Sequence, residues 1–584
     1  MIAVIRGPLI RPRYRDHEKE GSYPDMLGCA AMQEEDVAAA VKREPGPAAE
    51  RQGRPQAEPS RLPGPDGLGG QRFAPPKTPR GRGDRVPWLI ALAVFAAYTT
   101  ISVFRYLRLA PTSWDLGIFT EYVRQYAHLK TPIVDIRAAG FNLLGDHFQP
   151  IVGLIAPFFR IFPSPVTLLV AQSLLTAVSV VPVSRAAAEK LGATAGRAIG
   201  AAYGFSWGLQ QMIDFDFHEI AFAVPLLAFS LSALVRGRTR AAIAWALPLV
   251  FVKEDQGFTV AAIGILVIFL TSRPLGGLLL TVWGMAWSIL AIGYIVPHFN
   301  PIHKYPYWDK GGVIGPSGGG HFSASGLIAQ LGTASPTKLQ TTIIILLPTA
   351  FIALRSPLVT AALPSLALRF ASTNSYYWGT LWHYNATVMP IVFVAAIDAI
   401  ARTRAQAPAR GADASRPPGP PRGEAGATDR AAGAGSPLAG TVSRMAARTR
   451  PLMAALERHG AAAMVAIAVA MAFQYPLSSL WNSQTYAVDS HVAAANAAMA
   501  RVQDGATVET TLGLLAPLAA RTDTFWIGNG GNPAPQYVVY DMIHSDYSPP
   551  PANLVTFVEQ RHPGARYTQI YSADDVIVLR RVSG

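Results

Sequence analysis

A succession of long uncharged runs constrains this chain more than any other feature of it. The first, residues 87–104, holds eighteen residues without a charge and ends at Arg105. That is long enough for a membrane-spanning helix, which takes roughly 20 apolar residues. Further apolar stretches follow at 166–184, 195–212, 218–235, 241–252, 257–271, 275–297, 340–354, 357–371, 385–400 and 460–480. Together they predict an α-helical polytopic membrane protein with about 11 transmembrane helices, a count soft by one or two because several runs fall short of a full span. Composition agrees, with 50% hydrophobic and 15% charged residues, where soluble chains carry roughly 25% charged. Residues 148–162 are apolar but short and bounded by prolines, and read as a helix lying in or dipping into the interface.

The formal charge of +13 implies an anionic partner, either nucleic acid or a membrane surface. Its distribution decides for the membrane and against nucleic acid. Residues 1–86 hold fifteen basic and twelve acidic residues with no sustained apolar period, and read as a disordered cytoplasmic tail. With that tail inside, alternation of the spans puts Arg185, Lys190, Arg197, Arg236, Arg238, Arg240, Arg273 and Arg355 in cytoplasmic loops, as the positive-inside rule requires. The membrane core spans 87–401. A basic Pro/Gly/Ala-rich stretch at 402–452 reads as a disordered cytoplasmic linker, and 453–480 holds the last transmembrane helix. Residues 481–584 carry no Lys, six Arg and nine acids, and the parity places them outside. Their short β-rich runs alternate with helical ones, which predicts a small extracytoplasmic α/β domain with a parallel or mixed sheet. The single cysteine, Cys29, excludes an intramolecular disulfide and a cysteine-based metal centre. The expected location is the plasma membrane, crossed many times.

Ionisable residues beside hydrocarbon are costly and mark function more often than elsewhere. Four clusters of them stand at span ends. The first is Trp114-Asp115 just after the first run, continued through Asn142 and Gly145 to Asp146-His147. The second is Asp214 to Glu219, the third Lys253-Glu254-Asp255, and the fourth ends in Trp382-His383-Tyr384-Asn385. Counting spans puts all four on the external face, which predicts a polar site at the membrane–water boundary. Asp216, His218 and Glu219 have acid and imidazole ligands at a spacing that suits a divalent ion, although solvation at a helix end is the commoner fate of such residues. Aromatics such as Trp382 equally suit an interfacial belt.

At these residues the chain resembles a known family. Trp-Asp-Leu-Gly-Ile-Phe, then Asn-Leu-Leu-Gly-Asp-His-Phe-Gln-Pro, then Pro-Ser-Pro-Val-Thr-Leu-Leu-Val-Ala-Gln look like the bacterial membrane family catalogued as domain of unknown function 2079. Asp216-Phe217-His218-Glu219 and Lys253-Glu254-Asp255 match its habits over about 87–400. The usual Phe before the first Asp is Trp114 here, and the tail and the linker look like additions. The family is similar in layout to integral-membrane glycosyltransferases of the C-type fold, which take sugars from polyprenyl-phosphate carriers. By that similarity Asp115 is the expected catalytic residue.

The resemblance therefore implies transfer of a sugar from a polyprenyl-phosphate donor to a cell-envelope acceptor on the external face. Asp115, Asp146, His147 and Glu219 would be catalytic. Trp114, His218, Lys253, Glu254, Asp255, Trp382, His383 and Asn385 would bind substrate, with a divalent metal ion as the cofactor to consider. Lipids, the donor and the acceptor are the expected partners. Two other classes fit the sequence. A transporter or flippase would place its acids at mid-span on broken helices, and a non-catalytic envelope scaffold would work through 481–584.

Overall fold

The computed structural model describes residues 84–110, 113–307, 324–406 and 459–584. Nearly all of the expected tail and most of the expected linker lie outside these residues. Positions 402–406 of that linker continue the helix Val388–Gln406.

Four helices have the length and apolar composition to cross a membrane: Val86–Leu107, Pro165–Leu191, Pro274–Phe299 and His383–Ala405. Among the described residues, six shorter apolar helices accompany them: Pro150–Ile161, Glu219–Val235, Thr239–Phe251, Gln256–Leu270, Pro357–Ala371 and His459–Ala472. The expected runs are shorter as helices because the chain breaks inside or beside them. The stretch 195–212 becomes two helices, Ala193–Gly204 and Trp207–Phe215, separated at Phe205 and Ser206. Such a break frees carbonyls that lipid cannot satisfy. Here Tyr98 donates to the Gly204 carbonyl (2.7 Å) and Gln210 to that of Phe205 (2.7 Å). The stretch 340–354 ends as a helix at Leu346, beyond which Pro348 and the left-handed Ala350 and Phe351 turn the chain. Residues 150–161 form a 3-10 turn followed by one α-helical turn and a half, leaving Leu154, Phe158 and Ile161 exposed as an interfacial helix would.

Burial sorts the helices. The helix Val388–Gln406 is enclosed through Ile400, with Ile391 through Ile400 almost wholly covered, and the one charge in that part, Asp398, is paired with Ser356 (2.6 Å) and Arg402 (2.8 Å). Val86–Leu107 and Pro274–Leu290 instead expose Leu89, Leu92, Leu278 and Leu279, a surface that suits lipid rather than water. Gln256–Leu270 and Pro274–Leu290 form a tight hairpin along four glycines. A Cβ on Gly257 would strike the Gly284 carbonyl, and one on Gly264 the Gly277 carbonyl, so the two backbones lie in direct contact. With no apolar–apolar driving force between helices in lipid, close backbone packing of this kind is what holds a pair together.

The bundle has two chemically distinct ends. At one, Arg236 and Arg238 pair with Glu189, Arg197 with Asp84, and Arg404 reaches the Leu191 carbonyl. At the other, Gln172 of the same Pro165–Leu191 helix holds the turn at Asp216 and His218. At 1.5 Å per residue, Gln172 and Glu189 are about 25 Å apart along that helix, close to the thickness of a bilayer's hydrocarbon.

The C-terminal domain carries a five-stranded sheet in the order β2-β1-β3-β5-β4, where β1 is Thr507–Thr510, β2 Asp523–Trp526, β3 Tyr537–Asp541, β4 Arg566–Ala573 and β5 Val576–Ser583. Strands β1, β2 and β3 are parallel, and β5 runs antiparallel to both β3 and β4. The sheet is therefore mixed. Val538, Tyr540 and Leu579 face the Leu554–Arg561 helix, while Val508, Val539 and Val578 face the Ser490–Met499 side. The domain sits on the helix Ser113–Ala127. Leu515 packs at Gly117, Trp526 meets Trp114 edge-on at 4.8 Å, and Arg124 bonds the Thr522 carbonyl (2.6 Å) and Asp523 (2.9 Å).

Candidate functional site

The end of the bundle away from the arginine pole is made of irregular chain segments that meet. Irregular backbone at that depth is tolerated only where protein or a cavity surrounds it. Asp115 enters from the first turn of the helix Ser113–Ala127, where a carboxylate suits the positive end of the helix dipole. Phe119, one turn further on, lies edge-on to Phe217 and to the His218 ring.

Asp146 and His147 are set by a short turn. Asn142 caps it through the Leu144 N–H (3.1 Å), and the 3-10 helix Leu143–Gly145 follows. Gly145 passes so close to Phe299 that a Cβ would strike its carbonyl, and Asn300 donates to the Gly145 carbonyl at 2.8 Å. From that seat Asp146 receives Tyr307 Oη (3.0 Å) and pairs with Arg137 (3.4 Å). His147 Nδ1 meets Glu254 Oε1 at 2.7 Å, and its ring stacks on Tyr307 at 4.5 Å. Glu254 also accepts from the Phe148 N–H (3.0 Å) and Tyr305 Oη (2.9 Å).

His218 and Glu219 follow Asp216, whose φ of 115° lies in a region that non-glycine residues rarely occupy. Gln172 overrides that cost. Its amide nitrogen donates to the Asp216 carbonyl and its oxygen accepts from the His218 N–H at 3.0 Å. The result is a chain of alternating acidic and basic groups. Asp115 lies 4.0 Å from His218 Nε2, His218 Nδ1 is 2.7 Å from Glu219 Oε2, and Glu219 Oε1 is 3.0 Å from Lys253 Nζ. His383 stacks on His218 with centroids 3.6 Å apart. Both ring nitrogens of His383 are buried and, among the described residues, without a hydrogen bond.

Two acids in this site differ in proton affinity. Burial raises the Asp115 carboxyl above its ordinary value, against the pull of His218. Burial pushes Asp146 the same way, but His147 and Arg137 outweigh it and hold that carboxyl low. His147 is raised, since Glu254 overcomes the desolvation that would keep the ring neutral. Separated proton affinities of this kind divide a base from a fixed charge.

The structure brings together Asp115, Asp146, His147, His218, Glu219, Lys253, Glu254 and His383. The other expected residues are placed differently. Trp114 packs on Trp526 of the C-terminal domain. Asp255 stands at the start of the Gln256–Leu270 helix, bonded to Gln256. Asn385 is engaged by Arg369 (3.0 Å) and the Gly379 carbonyl, which makes it part of the loop's scaffold. Trp382 meets Phe215 and Tyr376 on the flank. Asp216, His218 and Glu219 do not converge as three metal ligands. Among the described residues, the group whose ligand atoms all lie within 4.8 Å of one another is His491, Asp541 and His544. Both Glu219 oxygens are committed, to His218 and to Lys253.

Sequence reasoning missed Arg137, Tyr305, Tyr307 and Arg369. Arg369 is buried inside an apolar run and holds the carbonyls of Tyr377, Gly379 and Tyr384. The aromatic residues around Tyr305 and Tyr307 were the available signal for that loop.

A family model described as predicted membrane protein (DUF2079) matches residues 105–413, just over half of the chain. The chain belongs to the DUF2079 family. The DUF2079 region contains every residue of the polar site from Asp115 to Asn385, and the sheet domain lies beyond it. No curated protein matches this DUF2079 member.

Proposed function

We propose that this DUF2079 protein is an integral-membrane glycosyltransferase that moves a sugar from a polyprenyl-phosphate donor to a cell-envelope acceptor. In this reading the bundle crosses the plasma membrane about 11 times, as its apolar runs suggest. Its N-terminus is cytoplasmic, and the polar site and sheet domain face outward. The observation that carries the proposal is the alternating chain Asp115–His218–Glu219–Lys253. Asp115 is its most accessible carboxylate, with 23% of the side chain exposed against 1% for Glu219.

Asp115 takes the proton of the acceptor hydroxyl as that oxygen bonds to the anomeric carbon. The bond from that carbon to the carrier phosphate breaks, and its electron pair leaves with the phosphate. The raised proton affinity of Asp115 suits a base, and His218, fixed by Glu219, steadies the charge that changes there. Lys253, His147 and Arg137 are the basic groups of this site that would offset the charge of a departing phosphate. The acids and imidazoles also offer donors for a divalent ion that would neutralise the phosphate, although the trio Asp216, His218 and Glu219 is not arranged as its cage.

Membranes containing the protein are expected to transfer radiolabel from one of a panel of undecaprenyl-phosphate pentoses and hexoses. Asp115→Asn should lower that rate by about 10²–10⁴-fold while donor binding persists, the range for losing a general base. Full transfer by Asp115→Asn would refute the assignment. Lipid scrambling by the purified protein without sugar turnover would replace it with the transporter reading.

A further inference from the structure

We infer that the C-terminal domain binds a divalent transition-metal ion, Zn²⁺ by its donor set, through His491 Nε2, Asp541 Oδ2 and His544 Nδ1. The site is separate from the polar cluster in the bundle and does not depend on its function.

Asp541 ends strand β3, and its Oδ1 is held by the backbone N–H groups of Ile543 and His544, both at 3.0 Å. That turn fixes the carboxylate and leaves Oδ2 to the two imidazoles. Two imidazole nitrogens point at this one oxygen, His491 Nε2 and His544 Nδ1, each 2.9 Å away. The other nitrogen of His491 lies 2.9 Å from the Asp574 carbonyl. A carbonyl only accepts, so Nδ1 must carry the proton, which in a neutral ring leaves a lone pair on Nε2. A lone pair aimed at a carboxylate oxygen is repelled, which either a second ring proton or a cation bound beside both atoms relieves. Backbone-bonded Nδ1–H with Nε2 turned to a shared point is how proteins orient metal-ligating histidines.

Tetrahedral ligands at Zn–N and Zn–O distances of about 2.0–2.1 Å lie about 3.3 Å apart, so each imidazole would draw back a few tenths of an ångström from its 2.9 Å contact with Asp541 to admit the ion. All three ligand atoms lie within 4.8 Å of one another. Two imidazoles and one carboxylate select zinc or a neighbouring transition ion over calcium or magnesium, which prefer all-oxygen sets. The His544 side chain is 48% exposed, whereas those of His491 and Asp541 are 15% and 5% exposed. The fourth position therefore opens to solvent, for a water or an anionic oxygen of a ligand. Asp541 ends a strand parallel to β1, and such ends are where open α/β sheets bind ligands. The ion would also clamp the helix Ser490–Met499, which carries His491, onto the sheet.

The test uses the full chain, purified in detergent with a tag that contains no histidine, stripped by chelator and titrated with zinc alone. One equivalent should bind, with a rise in the thermal midpoint of the domain. His544→Ala, a half-exposed position that folding tolerates, and Asp541→Asn should each weaken binding at least about tenfold. His383→Gln, in the bundle, should leave the stoichiometry unchanged. Cobalt in place of zinc should give a visible absorption band that His544→Ala abolishes. No uptake by the wild-type chain, or uptake equal in His544→Ala and lost in His383→Gln, would overturn the assignment. In either case His491 is then an imidazolium bridging Asp541 and Asp574.

Discussion

Glu121 shows how one side chain can report on the seat of the whole site. It lies on the helix that carries Asp115, has no exposed surface, and accepts from the Ile136 N–H at 3.2 Å. Burial, with Asp135 adding to it, pushes its carboxyl up to about 8, against the pull of Arg124. The folded state therefore holds a proton that the unfolded chain, at the ordinary value of 4.5, gives up. Stability from this group is present below the unfolded value and declines as pH rises from there to about 8, above which it is flat. The thermal midpoint of the wild-type protein should fall by roughly 2–5 °C from pH 6 to 8, and Glu121→Gln should flatten that slope. A slope unchanged in the variant assigns the effect elsewhere. At this scale the sequence was informative for acids and imidazoles at span ends, because their cost near hydrocarbon makes them conspicuous. It was uninformative for Arg369, which looks like an interruption in an apolar run, and for Asn385, whose amide is spent on its own loop. Nothing in the local pattern tells a ligand-facing amide from a loop-holding one.

The helical hairpin formed by Gln256–Leu270 and Pro274–Leu290 ties membrane packing to the polar site. Ser288, on the second helix, donates to the Glu254 carbonyl at 2.6 Å, and Glu254 holds His147. Gly284 lies in the seam just one turn before Ser288. Gly284→Leu should wedge the helices apart, cost about 1–3 kcal/mol as overpacking does, and displace Glu254 from His147. Thermal unfolding in detergent measures the first effect. Under the proposed function, restored stability at lower temperature without restored sugar transfer would expose the second. The apolar runs were legible as helices, but their interruptions were only partly so. The break at Phe205 leans on Tyr98, a partner far away in the chain that no local window contains, whereas the turn at Ala350 and Phe351 follows Pro348, a signal the apolar run itself held. The strands of the C-terminal domain were easier to place, since β-branched and aromatic residues bounded by turns leave few alternatives.

At the scale of the molecule, the sheet domain and the bundle share one helix. Ser113–Ala127 turns Asp115 toward His218 and turns Gly117 and Arg124 toward the domain. Asn529 adds bonds to the Ile136 and Arg137 carbonyls, so the glycine-rich loop at 528–532 is a docking element. Trp526→Ala together with Arg124→Ala should loosen this seat and make the chain after 472 several-fold more susceptible to limited proteolysis, with the bundle intact. Equal cleavage rates in wild type and variant would show that the domain is held by something else. The sequence placed the domain on the same side as the acids by counting spans, but it contained no sign that Trp114 and Trp526 would meet.

That shared helix imposes a reciprocity. Ordering it is part of the free energy of seating the domain and part of the free energy of presenting Asp115. Anything that binds the domain more tightly in its seated form therefore favours the arrangement at Asp115, and a ligand held at Asp115 strengthens the domain's own affinities by the same factor. An ion at His491 and a ligand at Asp115 would then be effectors of one another without ever touching.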